Sequence, residues 1–416
     1  SGTVDCYTLY GLNVETGKRE ALIQAKQTKS GQGIRYPRLF DTMPQYPNKI
    51  LITMNRMPQY PGRFRDLYWL DLETKRTTKI AEVPNIKDEQ FGSWLVDHDG
   101  KARGFTTSHD KNKDNKPNSD KDGLFTYVYL MDADTQEYSR MTQCRHQEPC
   151  FIPLDFDFDN RFLFGVGQAV LPDGSLDPDW EYTDTNALWL YDTKDKKYVE
   201  KVFHDPKFDF SNPRQGYSDG YILQDRINKV NYGLSYYAEQ RKYVYWDETY
   251  GYLRESVQAT FPDDQVGMYA SSDFSKVIIT TSSDKSPGSA YFYDVLEGGI
   301  VQVAEYAPWL KNYELGDMIP FDFTSRDGLD LTGYITLPPD YRKGQKIPFI
   351  LHPHGGPNAK DRFGYNPEVQ IYATRGYGVI QVNYRGSVGF GLEKMKLANK
   401  QWSLKMHDDL LDALEW

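Results

Sequence analysis

His354, Gly355 and Gly356 follow an apolar run in the stretch Ile347-Pro-Phe-Ile-Leu-His-Pro-His-Gly-Gly-Pro357. Phe349-Ile-Leu351 reads as a buried strand. Two glycines at a strand's end let the backbone turn sharply and leave amide N–H groups facing open space. An amide so placed can hold the negative oxygen of a tetrahedral acyl-transfer intermediate. The stretch therefore predicts a serine-hydrolase oxyanion loop.

Acyl transfer also needs a nucleophile. A serine nucleophile sits in a G-x-S-x-G elbow between a strand and a helix. Gly216-Tyr-Ser218-Asp-Gly220 has that spacing. No buried strand precedes it, and Tyr221-Ile-Leu-Gln leads into a β hairpin, so Ser218 reads as a decoy. No serine follows Ser403 and no histidine follows His407, so the sequence predicts that a Ser-Asp-His triad is absent from these residues.

Metal chemistry finds weaker support. His352 and His354 share a strand face like a metal pair, with no third ligand in view. Asp110, Asn112 and Asp114 imitate the start of a calcium loop. The required glycine is Asn115 and the required acid is Lys121, so residues 109–123 read as a solvated insertion. No metal and no cofactor are expected. Of the three cysteines, Cys144 and Cys150 are close enough to pair, and two free thiols fit the spacing equally.

The residues before this stretch repeat one unit, an aromatic-rich strand, a polar turn and a second strand. The turn residues Asn13, Asp71, Asp132, Asp192 and Asp294 recur at intervals of 58, 61, 60 and 102. The widest interval contains another hairpin, over residues 231–247. Further strands lie between the hairpins, at residues 50–54, 94–100, 162–165 and 277–280, which gives about four strands per period. Four-stranded sheets repeated in this way are the blades of a β-propeller. The alternative is one large sandwich or two small ones. About six repeats are visible. Tyr250, Leu253 and Val257 have helical spacing and predict a short inserted helix over residues 247–261, with Pro262 after it.

The pattern changes at Met318. A hairpin with an Asp327-Gly328 turn comes first. Asn366-Pro-Glu368 supplies an N-cap, a first-turn proline and a first-turn acid for a helix that places Val369, Tyr372 and Ala373 on one face. Gly376 ends that helix. Val379-Ile-Gln-Val-Asn-Tyr384 reads as another buried strand, and the strand–helix–strand order predicts parallel pairing. Asp408 and Asp409 fall in the first turn of a last helix, where negative charge is favoured. Leu410, Leu411 and Leu414 are expected as its apolar side. Further strands are expected to complete this sheet.

Composition sets the outer limits. The 416 residues suffice for two domains, and 32 tyrosines suit strands. A net charge of -10 argues against nucleic acid and anionic membrane as partners. No apolar run approaches the ~20 residues of a membrane helix. The opening Ser1-Gly-Thr-Val-Asp5 reads as an internal or processed start.

Five features, taken in order, resemble the prolyl oligopeptidase family of serine peptidases, in its acylaminoacyl- or dipeptidyl-peptidase-like branch. They are Ser325-Arg-Asp-Gly328, Pro353-His-Gly-Gly-Pro357, Gly376-Tyr-Gly378 through Asn383-Tyr-Arg-Gly386, Gly389-Phe-Gly391 and the Asp408-Asp409 helix. The resemblance implies a β-propeller over residues 1–317 and the N-terminal part of an α/β-hydrolase domain over 318–416. It implies cleavage of short peptides by acyl transfer, with the propeller limiting access. His354, Gly355 and Gly356 would form the oxyanion loop, with Gly356 N–H as its best single donor. The catalytic serine would lie beyond Trp416. The other readings are an esterase of the same fold and a non-catalytic propeller binding module. Expected partners are short peptides, with a second copy of the chain or a complementing C-terminal segment as further options. A periplasmic setting stands slightly ahead of a cytoplasmic one.

Overall fold

A computed structural model describes residues 8–27, 34–55, 65–110, 123–132, 135–213 and 217–416. Contacts divide the chain into two compact units, Ser1–Tyr182 with Leu188–Phe203, and Thr183–Ala187 with His204–Trp416.

The first unit is built of antiparallel sheets. β1 (Leu9–Leu12) pairs with β2 (Arg19–Ile23), and β3 (Lys26–Gln27) with β4 (Ile34–Arg35). Three four-stranded meanders follow. The first is β5 (Pro37–Asp41), β6 (Lys49–Asn55), β7 (Arg65–Asp71) and β8 (Thr77–Ala81). The second is β9 (Gln90–Val96), β10 (Ala102–Asp110), β11 (Leu124–Met131) and β12 (Tyr138–Arg145). The third is β13 (Phe151–Phe156), β14 (Phe162–Gly167), β15 (Ala187–Asp192) and β16 (Lys197–Phe203). Apolar residues on alternate positions make the core, as where Leu67, Val83, Trp94, Phe105 and Tyr129 pack together. The structure joins Cys144 to Cys150 in a disulfide with Cα atoms 5.2 Å apart. The calcium-like positions Asn112, Asp114, Asn115 and Lys121 lie outside the described residues, as does Cys6.

The second unit opens with a three-stranded sheet of β17 (Tyr221–Asp225), β18 (Val230–Tyr237) and β19 (Arg241–Tyr245). Next comes α1 (Glu248–Thr260), with Asp247 as its N-cap accepting from Tyr250 N. A fourth meander follows, β20 (Gln265–Ala270), β21 (Lys276–Ser282), β22 (Ser289–Asp294) and β23 (Gly299–Glu305). α1 lays Val257 and Leu253 on Val266, Val277 and Ile279 of that meander.

The recurring Asn and Asp positions have one physical cause. In each, the side-chain oxygen accepts from the amide three residues on, at 2.8 Å for Asn13, 2.7 Å for Asp71, 3.2 Å for Asp132, 3.1 Å for Asp192 and 3.3 Å for Asp294. The residue four positions on then turns to positive φ, at Gly17, Lys75, Gln136, Lys196 and Gly298. This Asx turn closes the last hairpin of its sheet each time. The three-stranded sheet differs. There Asp225 makes the same turn between β17 and β18, with its oxygen 3.0 Å from Asn228 N. The predicted hairpin over residues 231–247 is instead closed at Ala238 and Gln240.

The last sheet has the order β24-β25-β27-β26. β24 (Met318–Thr324) and β25 (Asp330–Thr336) are the expected hairpin, and β25 also pairs antiparallel with β27 (Gly378–Asn383). β26 (Phe349–Leu351) runs parallel to β27, with α2 (Pro367–Ala373) between them in sequence. Asn366 caps α2 through the amides of Glu368 and Val369, as its sequence predicts. Its buried residues are Val369, Gln370 and Ala373, so Gln370 joins the expected face. Gln370 is tolerated there because its amide group bonds both Gly316 and the Asp284 carbonyl. β27 is buried throughout. β26 is not, because it stands at the sheet edge, where Phe349 is 43% exposed. α3 (Leu392–Lys396) and α4 (Lys405–Glu415) follow, and no helix among the described residues is long and apolar enough to cross a membrane.

α4 corrects a second expectation. Leu410 packs against the core as expected, but the buried residues are Asp409, Asp412 and Ala413, and Leu414 is 41% exposed. The face turned to the sheet is therefore partly acidic. Arg385 and Arg326 make that possible. Arg385 grips Asp409 through Nη2 at 2.6 Å and Nε at 2.8 Å, and it grips Asp327 at 2.8 and 3.0 Å. Arg326 Nε bonds Asp412 at 2.7 Å.

Candidate active site

The loop after β26 is held by its neighbours and left open at its glycines. His352 N continues the ladder to Ile380 O at 2.8 Å. His354 then stacks on the ring of Tyr384, with centroids 4.6 Å apart. The Tyr384 hydroxyl donates to the His354 carbonyl at 2.8 Å. On the His354 ring, Nδ1 lies 2.8 Å from the Gly355 carbonyl and Nε2 lies 3.0 Å from Ser387 Oγ. Ser387 is fully buried and donates to the Tyr384 carbonyl at 2.7 Å. The side chain of His354 is thus committed to fixing the loop on the turn that follows β27.

Gly355 and Gly356 are exposed, and neither amide donates to an acceptor among the described residues. Gly356 has φ +136, and a Cβ there would meet Asn358 N at 2.8 Å. Glycine is therefore required at 356, whereas a Cβ on Gly355 would meet nothing within 4 Å. The arrangement presents two adjacent, unengaged N–H groups on a loop that cannot easily turn away. This is what an oxyanion site needs before charge develops.

Behind the loop, residues 360–363 are tied to distant parts of the second unit. Asp361 N bonds Asn383 Oδ1 at 2.8 Å, and Gln381 Nε2 bonds Asp361 Oδ1 at 2.8 Å. Burial pushes the Asp361 carboxyl up, against the opposing influence of His354. Lys360 Nζ reaches Tyr217 Oη at 3.2 Å and lies 4.6 and 4.9 Å from the ring centroids of Tyr217 and Tyr237. The Tyr237 hydroxyl donates to the Phe363 carbonyl at 2.8 Å, and Arg362 Nε bonds Asp219 Oδ2 at 2.6 Å.

These contacts give the G-x-S-x-G look-alike a different meaning. Gly216 lies outside the described residues, but Tyr217 and Asp219 are the anchors for residues 360 and 362. Ser218 itself is exposed, and β17 follows it instead of a helix. The two histidines go separate ways, His352 Nε2 to within 3.5 Å of Glu368 and His354 to Ser387. Ser387, Lys360 and the Arg385–Asp409 pair had no separate signal in the sequence. Only Arg385-Gly386 and Asp408-Asp409 stood out, as motif residues without partners.

Burial, with help from nearby Arg362, brings Lys360 down to about 7 from the ordinary lysine value of 10.5. Below about 7 the folded and unfolded chains both hold this proton, and above 10.5 neither does. Between those limits the unfolded chain alone binds it, so this group adds stability as pH rises through the window. Urea midpoints measured from pH 7 to pH 10 are expected to show that rise, and Lys360→Met is expected to flatten it. An unchanged slope in the variant would show that Lys360 keeps its charge in the fold.

No family model matches the chain. Among curated proteins it is similar to dipeptidyl aminopeptidase BIII of Pseudoxanthomonas mexicana, 26% identical over 424 residues, which is 100% of this chain and 54% of that protein. It is also similar to dipeptidyl peptidase family member 6 of Caenorhabditis elegans, 27% identical over 286 residues, covering 64% of this chain and 36% of that protein. The chain spans about half the length of the first relative, and a smaller part of the second is matched. Among solved structures, a puromycin hydrolase aligns with a TM-score of 0.60 at 14% identity, over 98% of this chain and 59% of that one. A Mycobacterium tuberculosis puromycin-hydrolyzing peptidase aligns with a TM-score of 0.58 at 16% identity, over 99% and 60%. At these identities the structural likeness is one of fold.

Proposed function

We infer that this chain, a member of the prolyl oligopeptidase family of serine peptidases, takes part in cleaving short peptides by acyl transfer. The observation that carries the reading is the pair of unengaged amides at Gly355 and Gly356, on a loop pinned by His354, Tyr384 and Ser387. In this role Gly356 N–H donates to the oxyanion, and His354 positions the loop without touching substrate. The two relatives named above are a dipeptidyl aminopeptidase and a dipeptidyl peptidase family member by name, which favours release of N-terminal dipeptides over other cuts. The meanders of residues 1–317 would form the propeller that limits access, and residues 318–416 the opening part of the hydrolase domain.

Neither serine near the loop suits the attack. Ser218 is exposed with no elbow around it, and Ser387 is sealed and already hydrogen-bonded. The nucleophile is proposed to come from outside these 416 residues. The test compares the whole protein with residues 1–416 on dipeptidyl-anilide and simple ester substrates. Anilide hydrolysis by the whole protein, and none by the 416-residue chain, is expected. Hydrolysis by that chain, abolished in Ser218→Ala, would overturn the reading. Ester cleavage without peptide cleavage would favour an esterase.

A further inference from the structure

Lys394 lies on α3 in the second unit, where it and Met395 are the buried residues. It is 9% exposed. Its Nζ sits 4.2 Å from the centroid of the Phe390 ring. Nζ makes no hydrogen bond or ion pair among the described residues, and it is not sealed from solvent as the unpartnered Nδ1 of His352 is. Two other lysines show the contrast. Lys360, similarly buried, has the Tyr217 hydroxyl. Lys207 has Asp322 at 3.1 Å and Glu239 at 3.3 Å.

Lys394 lines a cavity of about 470 Å³ together with Phe323, Leu331, Thr332, Phe390 and Lys207. That volume is within the range of ligand pockets. The charged groups around the amine are Lys207 ahead of β17, Asp322 on β24, Asp330 on β25 and Asp409 on α4. Each carboxylate is already engaged, Asp322 by Lys207, Asp409 by Arg385 and Asp330 by Thr324 Oγ1 at 2.9 Å. An ammonium here loses water and gains no ion pair, so the neutral amine is favoured. Burial accordingly brings Lys394 down to about 8 from the ordinary lysine value of 10.5. At pH 7 about a tenth of such amines are neutral, against under about a thousandth at the ordinary value. A desolvated, neutral lysine amine is a nucleophile toward carbonyl carbon. Asp322 and Asp330 on the cavity wall oppose an anionic ligand, and Phe323, Leu331 and Phe390 suit an apolar one.

We propose that Lys394 is a covalent binding site for a small neutral aldehyde with an apolar body, held as an imine in the cavity beside α3. The nitrogen lone pair bonds to the carbonyl carbon as one N–H proton passes to the oxygen. The hydroxyl so formed leaves with the second N–H proton as water, and a C=N bond remains. This site goes beyond the peptidase reading and needs neither the oxyanion loop nor the peptidase nucleophile, so either idea can fail alone.

The test is labelling of the 416-residue chain at pH 7 with propionaldehyde and cyanoborohydride, which reduces an imine to a stable secondary amine, followed by peptide mass spectrometry. Lys394 is expected to label about tenfold faster than Lys101, whose side chain is 71% exposed. In unfolding urea the two should label alike. With glyoxylate, an anionic aldehyde, the ratio of Lys394 to Lys101 labelling should be several-fold lower than with propionaldehyde. Lys394→Met should lose the fast-labelling peptide while leaving the circular dichroism spectrum unchanged. The proposal is overturned if Lys394 labels no faster than Lys101 in the folded chain, if its preference survives urea, or if glyoxylate gives the higher ratio. Should Lys394→Met not fold, the ratio in the unaltered chain and its loss in urea still decide.

Discussion

Asp409→Ala is expected to destabilise the second unit by about 3–5 kcal/mol, the range for breaking a buried pair from one side. Asp409 is 0% exposed and Arg385 2%. Removing the carboxylate leaves the Arg385 Nε and backbone amide without the oxygen they share, at 2.8 and 2.9 Å. Asp327 cannot take over, because it binds the guanidinium from its other side and also accepts from Lys405 at 3.0 Å. The double variant Arg385→Met with Asp409→Leu should cost less than Asp409→Ala, since no charge is then stranded. Lys75→Ala, which breaks an exposed pair with Glu20 at 3.0 Å, should cost far less, because solvent screens that pair. Urea unfolding of the three variants checks the ranking, and equal losses for Asp409→Ala and Lys75→Ala would refute it. Acid should act on the same cluster. The hydrogen bond from Arg385, with those from Ser325 and Lys405, holds the Asp327 carboxyl well below the usual range. Its folded pKa is depressed, so its contribution is complete above the ordinary carboxylate range and is lost as pH falls toward the depressed value.

Gly356→Ala in the whole protein is expected to lower kcat about 10²–10³-fold, the loss seen when one oxyanion donor is removed. The cause is geometric. With φ at +136 and a Cβ only 2.8 Å from Asn358 N, alanine must shift the backbone that aims the amide. The strain itself is about 1–3 kcal/mol. Gly355→Ala provides the comparison, because its Cβ meets nothing within 4 Å and its amide stays in place. Steady-state kinetics on a dipeptidyl-anilide separates the two. A Gly356→Ala enzyme with normal kcat would remove Gly356 from the oxyanion role, whatever happens to the rest of the reading.

The sequence made local features legible and long-range partners illegible. Asn13, Asp71, Asp132, Asp192 and Asp294 could be found because an Asx turn uses atoms within four residues. The cap at Asn366 was equally local. The His354-Gly355-Gly356 loop was legible as a strand end with glycines, and the structure adds what holds it. Asp409 reads as a helix-end charge because periodicity treats every acid as outward-facing, and its partner is 24 residues away. Lys360 and Tyr217 are 143 residues apart, so neither stretch predicts the other. Phe349-Ile-Leu351 reads as buried because apolar composition does not distinguish a central strand from an edge one.

The way the sheets are wired bears on how the protein is made. In the four-stranded meanders every strand pairs with its sequence neighbour, so each can close soon after its last hairpin leaves the ribosome. The β24–β27 sheet cannot, because β26 waits for β27 and Arg326 waits for Asp412, 86 residues later. At 5–20 residues per second that wait is about 4–17 s. Throughout it the Arg326 side chain lacks its Asp412 partner and the half-built sheet has an open edge. The β24–β27 sheet thus stays incompletely paired for longer during synthesis than the four-stranded meanders, and gains more from a chaperone.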